Sequence, residues 1–142
     1  DISDATKALG RYPDLVGKVV HGEKRGRTIG YPTANLGIDE DREDNIVPAD
    51  GVYAGWIDVK GLHLQAAISI GTNPTFEGLR GRQVEAFALK QDSWLNLYDE
   101  PATITFKERL RETIKFTGAD WLEQLLAQMK LDCEKAWELT QL

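Results

Sequence analysis

Gly51-Val52-Tyr53-Ala54-Gly55-Trp56-Ile57-Asp58-Val59, a Lys60-Gly61 pair, and then Leu64-Gln65-Ala66-Ala67-Ile68-Ser69-Ile70 form the stretch on which the fold turns. Val52, Trp56 and Ile57 favour a pleated surface, and they interleave with smaller or polar residues. Lys60-Gly61 supplies a turn, after which a second apolar run returns. This spacing predicts a β-hairpin over residues 51–70. Working outward, Val16 to His21 is a short β-prone run, and Val84 to Leu89 and Ala102 to Phe106 add two more strands. Asn73-Pro74, Glu77-Gly78 and Arg80-Gly81 punctuate the loop between the hairpin and the next strand. Several short strands without intervening helices predict a mainly β domain, closed as an antiparallel barrel or stacked as a sandwich.

The two ends read differently. Residues 1–10 fit a short helix, with Ser3 or Asp4 as cap and Gly10 as stop. In the last quarter, Trp121, Leu122, Leu125, Met129, Asp132, Cys133, Ala136, Trp137 and Leu139 recur at three- and four-residue steps. That period predicts an amphipathic helix, started by Thr117 or Asp120, whose stripe packs on the barrel.

The chain has 142 residues, the size of one domain with a real core. Its 42% apolar and 28% charged residues are the composition of a soluble globular protein. Seventeen basic and 23 acidic side chains leave a net charge of −6, which argues against general nucleic-acid binding but not against a local phosphate-binding patch. The acids concentrate in part between Asp39 and Asp44, a solvated loop by composition. A single cysteine, Cys133, excludes an internal disulfide and reads as a small, partly buried side chain. No apolar run reaches the length that spans a bilayer, so no membrane partner is expected.

Chemistry concentrates in Gly22-Glu23-Lys24-Arg25-Gly26-Arg27-Thr28-Ile29-Gly30-Tyr31-Pro32-Thr33-Ala34-Asn35. Glycines let an oligophosphate approach backbone N–H groups, and Lys24, Arg25 and Arg27 answer its charge. Pro32 fixes one dihedral just before Thr33 and Asn35, whose oxygens suit a hard cation such as Mg2+. In an extended segment residues 33 and 35 share a side. The plain alternatives are a solvated hairpin loop and local turn bonds after Pro32. The segment is neither a P-loop nor a dinucleotide fingerprint. In the strand Val84 to Leu89, Glu85 shares a face with Phe87 and Leu89, which is unusual for a solvated carboxylate; the alternative is an exposed edge-strand charge.

These residues resemble the riboflavin kinase family. Four blocks in order carry the similarity: Val19-Val20-His21-Gly22 through Pro32-Thr33-Ala34-Asn35-Leu36; Pro48-Ala49-Asp50-Gly51-Val52-Tyr53-Ala54-Gly55; Ile68-Ser69-Ile70-Gly71-Thr72-Asn73-Pro74-Thr75-Phe76; and Val84-Glu85-Ala86-Phe87. Weaker similarity continues through Leu97-Tyr98, Leu110-Arg111, Phe116 and the final helix. Residues 1–12, Asp1 to Tyr12, are similar to the joint of bacterial bifunctional enzymes. This implies a linker at 1–14, a kinase domain at 15–142, and an FAD-forming adenylyltransferase module absent from this chain.

The resemblance implies a small antiparallel Greek-key barrel with a C-terminal helix packed on it. It implies transfer of the γ-phosphoryl of ATP, the co-substrate, to the 5′-hydroxyl of riboflavin, giving FMN and ADP in the cytoplasm. Thr33 and Asn35 match the family's metal pair, with Mg2+ as cofactor, and Glu85 matches its catalytic base. Gly22, Gly26 and Arg27 match the phosphate arch; with Thr33, the residues Ala88, Lys90 and Tyr98 match nucleotide contacts, Ala88 through its backbone. Arg111 matches an arginine near the flavin, with Thr113, Phe116 and Trp94 as further flavin-side residues. Relatives often carry glutamate where Thr113 stands. For Arg111 the alternative is a surface ion pair with Glu108 or Glu112. The loops 72–83 and 90–100 are expected to close over substrates. Two other readings compete: a flavin- or nucleotide-binding barrel that lost the reaction, and a β-barrel that binds nucleic acid or protein.

Overall fold

The computed structural model describes residues 2–20, 32–38, 45–72, 82–90 and 96–141. Six strands run β1 (Asp14–Val20), β2 (Thr33–Ile38), β3 (Gly51–Val59), β4 (Leu62–Thr72), β5 (Arg82–Ala88) and β6 (Pro101–Arg111). Helix α1 (Ile2–Leu9) precedes them and α2 (Trp121–Leu139) follows. All pairings are antiparallel and the sheet closes in the order β1-β2-β5-β4-β3-β6. Strands β3, β4 and β5 follow one another and β6 returns beside β3, which is a Greek key. Closure leaves no free sheet edge.

Alternation sorts the side chains onto two faces. Leu15, Val19, Ala34, Leu36, Tyr53, Ile57, Ile68, Ile70, Val84, Ala86, Ile104 and Phe106 fill the barrel interior. There Tyr53 meets Phe106 edge-on at 5.2 Å, and its hydroxyl donates to the Ala49 carbonyl at 2.6 Å, so the polar tip is satisfied. On the outer wall Ala54, Ala67, Phe87 and Leu89 pack with Met129, Cys133 and Ala136 of α2. The apolar stripe of the last helix thus meets the outside of the barrel. Trp121 and Leu122, at its start, remain 50% and 40% exposed because the helix begins beyond the wall that covers its middle.

Two local features shape this wall. At Gly55 the β3–β6 register shifts, and a Cβ there would come within 1.9 Å of the Thr105 carbonyl oxygen. Only glycine permits that approach. Where β2 no longer covers β1, the Asn45 carboxamide takes over: it accepts from the Val16 N–H at 2.8 Å and donates to the Val16 carbonyl at 2.6 Å.

The predicted hairpin, both helices and the flanking strands are present. Ser3 and Asp4 lie inside the first turn of α1 rather than before it, while Gly10 ends that helix at φ 71°. Asp120 occupies the N-cap of α2, but its carboxylate accepts from the Gln124 side chain at 2.6 Å instead of a backbone N–H. Strand β2 and the extension of β6 from Lys107 to Arg111 go beyond the strands expected from sequence. Among the described residues no helix is long and apolar enough to cross a membrane.

Candidate active site

One lateral row of the barrel gathers the polar residues. Val20 pairs with Asn35, Asn35 with Glu85, Glu85 with Ser69, Ser69 with Val52, and Val52 with Arg111. The row crosses all six strands but spirals rather than closing on itself: Lys18 pairs with Pro101, so Val20 at one end of the row lies near the start of β6 and Arg111, at the other, ends that strand. Ala34 and Leu36 point inward, so Thr33 and Asn35 face out on β2. By the same alternation Gln83, Glu85 and Phe87 face out on β5. Pairing brings Cβ atoms of Asn35 and Glu85 to about 5 Å, the ordinary cross-strand spacing.

These outward residues are nevertheless buried. Glu85 is 1% exposed, Asn35 6% and Gln83 4%. Strand β5 is flanked by β2 and β4, so Glu85 is not an edge-strand charge. A carboxylate withdrawn from water this far is costly, and sequences retain one where it serves a site. Gln83 Nε2 donates to Asn35 Oδ1 at 2.6 Å.

Beside this row, between the wall and α2, lies a cavity of about 380 Å³. Val52, Ser69, Gly71, Gln83 and Phe87 form its barrel side; Trp121, Leu125, Met129, Asp132 and Cys133 form its helix side. Arg111, Thr113, Ile114 and Phe116, from the segment leaving β6, complete it. A slot that combines apolar and aromatic walls with convergent polar groups suits a flat organic ligand with a polar rim.

Arg111 is anchored at this cavity by Asp132 of α2. Its Nη2 lies 2.7 Å from Asp132 Oδ2, and its Nε is 3.0 Å from both carboxylate oxygens. Nη1 donates to the Glu112 carbonyl at 3.0 Å. The partner is therefore neither the Glu108 nor the Glu112 carboxylate: Arg111 ends a strand, where helical spacing does not apply, and α2 brings in Asp132 from 21 residues away. Gln128 Nε2 also donates to Asp132, at 3.0 Å, which steadies the carboxylate.

The remaining predicted residues divide. Thr113 and Phe116 reach the cavity with Arg111. The Ala88 N–H donates to the Pro32 carbonyl at 2.9 Å, tying β5 to the end of the glycine-rich segment. Lys90, at φ 51°, places its ammonium 4.3 Å from the centre of the Trp137 ring. Tyr98 is 53% exposed in a turn, not in a strand; its neighbour Asp99 donates its N–H to the Val19 carbonyl at 2.9 Å, so this turn stands beside the row's β1 end. Gly22, Gly26, Arg27 and Trp94 lie outside the described residues, as do residues 73–81 and 91–95 of the two proposed closing loops. Sequence reasoning did not single out Ser69, Gln83 or Asp132 for the site. Only strand register and helix docking bring them there, although the apolar stripe already held a misplaced acid at Asp132.

A closed Greek-key barrel with a buried carboxylate and amide, half-buried hydroxyls and a ligand-sized slot has the architecture of a small-molecule-binding β-barrel. The family model for riboflavin kinase (flavokinase) matches residues 9–140, and the chain belongs to that family. A bifunctional riboflavin kinase/FMN adenylyltransferase of Listeria monocytogenes is 39% identical over 133 residues, 93% of this chain and 40% of its own. The chain thus spans about two fifths of the length of the curated relatives it matches. Among solved structures, a Streptococcus pneumoniae protein described as a macrolide-efflux protein superposes with TM-score 0.77 at 36% identity, covering 95% of this chain and 41% of its own. The riboflavin kinase of Trypanosoma brucei superposes with TM-score 0.62 at 27% identity, covering 88% and 77%.

Proposed function

We propose that this chain transfers the γ-phosphoryl of ATP to the 5′-hydroxyl of riboflavin, giving FMN and ADP. The observation that carries the reading is the register: Asn35 and Glu85 are paired neighbours, both buried, and Ser69 beside Glu85 lines the slot. In this reading the isoalloxazine occupies the slot, with Arg111, Thr113 and Phe116 on one side and Trp94 closing over it. The ribityl chain then runs toward Glu85. The Glu85 carboxylate takes the proton of the 5′-hydroxyl as its oxygen attacks the γ-phosphorus, and the bond to the ADP oxygen breaks.

Thr33 and Asn35 fit a hard divalent cation, Mg2+ in this proposal. A hydroxyl and an amide oxygen stand on one face of β2, and Asn35 Oδ1 retains a lone pair beyond the one that Gln83 uses. A pair of neutral oxygens would leave the rest of the ion's shell to phosphates and water. When bound, the ion would offset the charge of the phosphates. Gly22, Gly26 and Arg27, with Ala88, Lys90 and Tyr98, would hold the nucleotide. The segment 21–31 leaves β1 at Val20 and rejoins at Pro32, both tied next to the Asn35–Glu85 pair. ATP as donor makes the cytoplasm the expected compartment. Residues 1–14 would join the domain at 15–142 to an adenylyltransferase module, as the names and lengths of the relatives suggest.

The test is direct. Protein, riboflavin, ATP and Mg2+ are incubated and FMN is sought by chromatography. FMN from the wild type, formed at least ~100-fold more slowly by Glu85→Gln, supports the proposal; no FMN with any divalent ion overturns it.

A further inference from the structure

We infer that Gln83 is a positioning residue for the cation site: its side-chain amide fixes which end of the Asn35 carboxamide faces the metal. This rests on the phosphoryl-transfer reading above. Gln83 and Glu85 are two apart on the same face of β5, and Asn35 is paired with Glu85, so Gln83 is the diagonal neighbour of Asn35 across the β2–β5 ladder. The two amides meet at 2.6 Å with Gln83 Nε2 donating to Asn35 Oδ1, and both residues are buried. On the other side Gln83 is paired with Gly71, whose missing side chain leaves open space. Gln83 therefore touches the amide on one side and lines the slot on the other.

An asparagine amide presents either an oxygen or an NH2 group when it rotates about its last bond, and the two ends are nearly alike in shape. Only the oxygen binds a cation. A donor held against that oxygen selects its orientation, while the second lone pair stays available. Outer partners of metal ligands act in this way. Threonine has no such ambiguity, so Asn35 alone in the pair needs the fixture.

Calorimetry of ADP binding, with and without Mg2+, reads this apart from turnover. In the wild type Mg2+ tightens ADP binding by a measurable factor. In Gln83→Leu that factor falls by about tenfold, the low end of the range for lost outer partners of metal ligands, while metal-free ADP affinity stays. Gln83→Met, which keeps the length and loses the donor, does the same and serves if the leucine variant does not melt cooperatively. In an Asn35→Asp background, where both ends are oxygen, adding Gln83→Leu changes the factor little. An unchanged factor in both single variants overturns the inference, as does a lower melting temperature with equal losses in both ADP affinities. A wild type whose ADP affinity ignores Mg2+ overturns the metal arrangement of the proposed function itself.

Discussion

The inside and the outside of this barrel are built from the same six strands and do opposite work. Inward positions are aliphatic or aromatic almost throughout, from Leu15 and Leu36 to Ile104 and Phe106. Outward positions mix Ala67, Phe87 and Leu89, which pack against α2, with Asn35, Gln83, Glu85 and Ser69. Both faces are buried, yet only the interior has no polar chemistry to protect. On the proposed function, stability and activity divide by a period of two along each strand, and substitutions one residue apart should separate them.

The largest expected effect is on the interior. Phe106→Ala removes a ring packed against Tyr53 and costs about 3–5 kcal/mol. Urea unfolding measures it, and the molecules that remain folded keep a kcat near the wild-type value. A matching collapse of kcat would erase the division. On the outer wall, Glu85→Gln lowers kcat by at least ~100-fold, the scale of a lost general base, or about 2.7 kcal/mol of barrier. The fold survives, read as a cooperative melt of the variant. Near-normal turnover would remove Glu85 from the mechanism.

Asp132→Ala sharpens the boundary, because it touches both properties. Losing the forked contacts to Arg111 costs about 2 kcal/mol, the scale of hydrogen bonds to charged groups. The KM for riboflavin rises more than kcat falls, since Arg111 is freed to leave the slot. An unchanged KM would make the pair a purely structural tie between β6 and α2. The smallest effect belongs to the far end of α2. That helix has no basic residue in its last turn, and Lys107 of β6 supplies one by donating to the Leu139 carbonyl. Lys107→Met costs about 0.3–1 kcal/mol, and the difference shrinks in high salt, as screening of a charge–dipole contact requires.

Some of this architecture was legible before folding. Hairpin 51–70 declared itself because Lys60-Gly61 interrupts two β-prone runs, and α2 because its apolar period is helical. Strand β2 was harder. Thr33-Ala34-Asn35-Leu36-Gly37-Ile38 contains Asn and Gly, which disfavour strands on their own, and β1 and β5 impose the strand by pairing on both sides. Beyond Phe106 the charged run Lys107-Glu108-Arg109 looks like a loop, but β3 continues to pair with it through a bulge. Thr33, Asn35 and Glu85 stood out because hydroxyl, amide and carboxylate chemistry is written in the side chains themselves. Ser69, Gln83 and Asp132 did not, since each is an ordinary polar residue until a neighbour is known.

The sequence by itself determined the periods: which residues alternate, where turns fall, which end is helical, and which side chains can bind a cation or take a proton. The tertiary structure decided the neighbours. Closure of the barrel set Glu85 between Asn35 and Ser69, and docking of α2 gave Arg111 its carboxylate and the outer wall its slot. The reason is that period is a local property of the backbone, whereas register and helix placement are settled by burying apolar surface across segments distant along the chain.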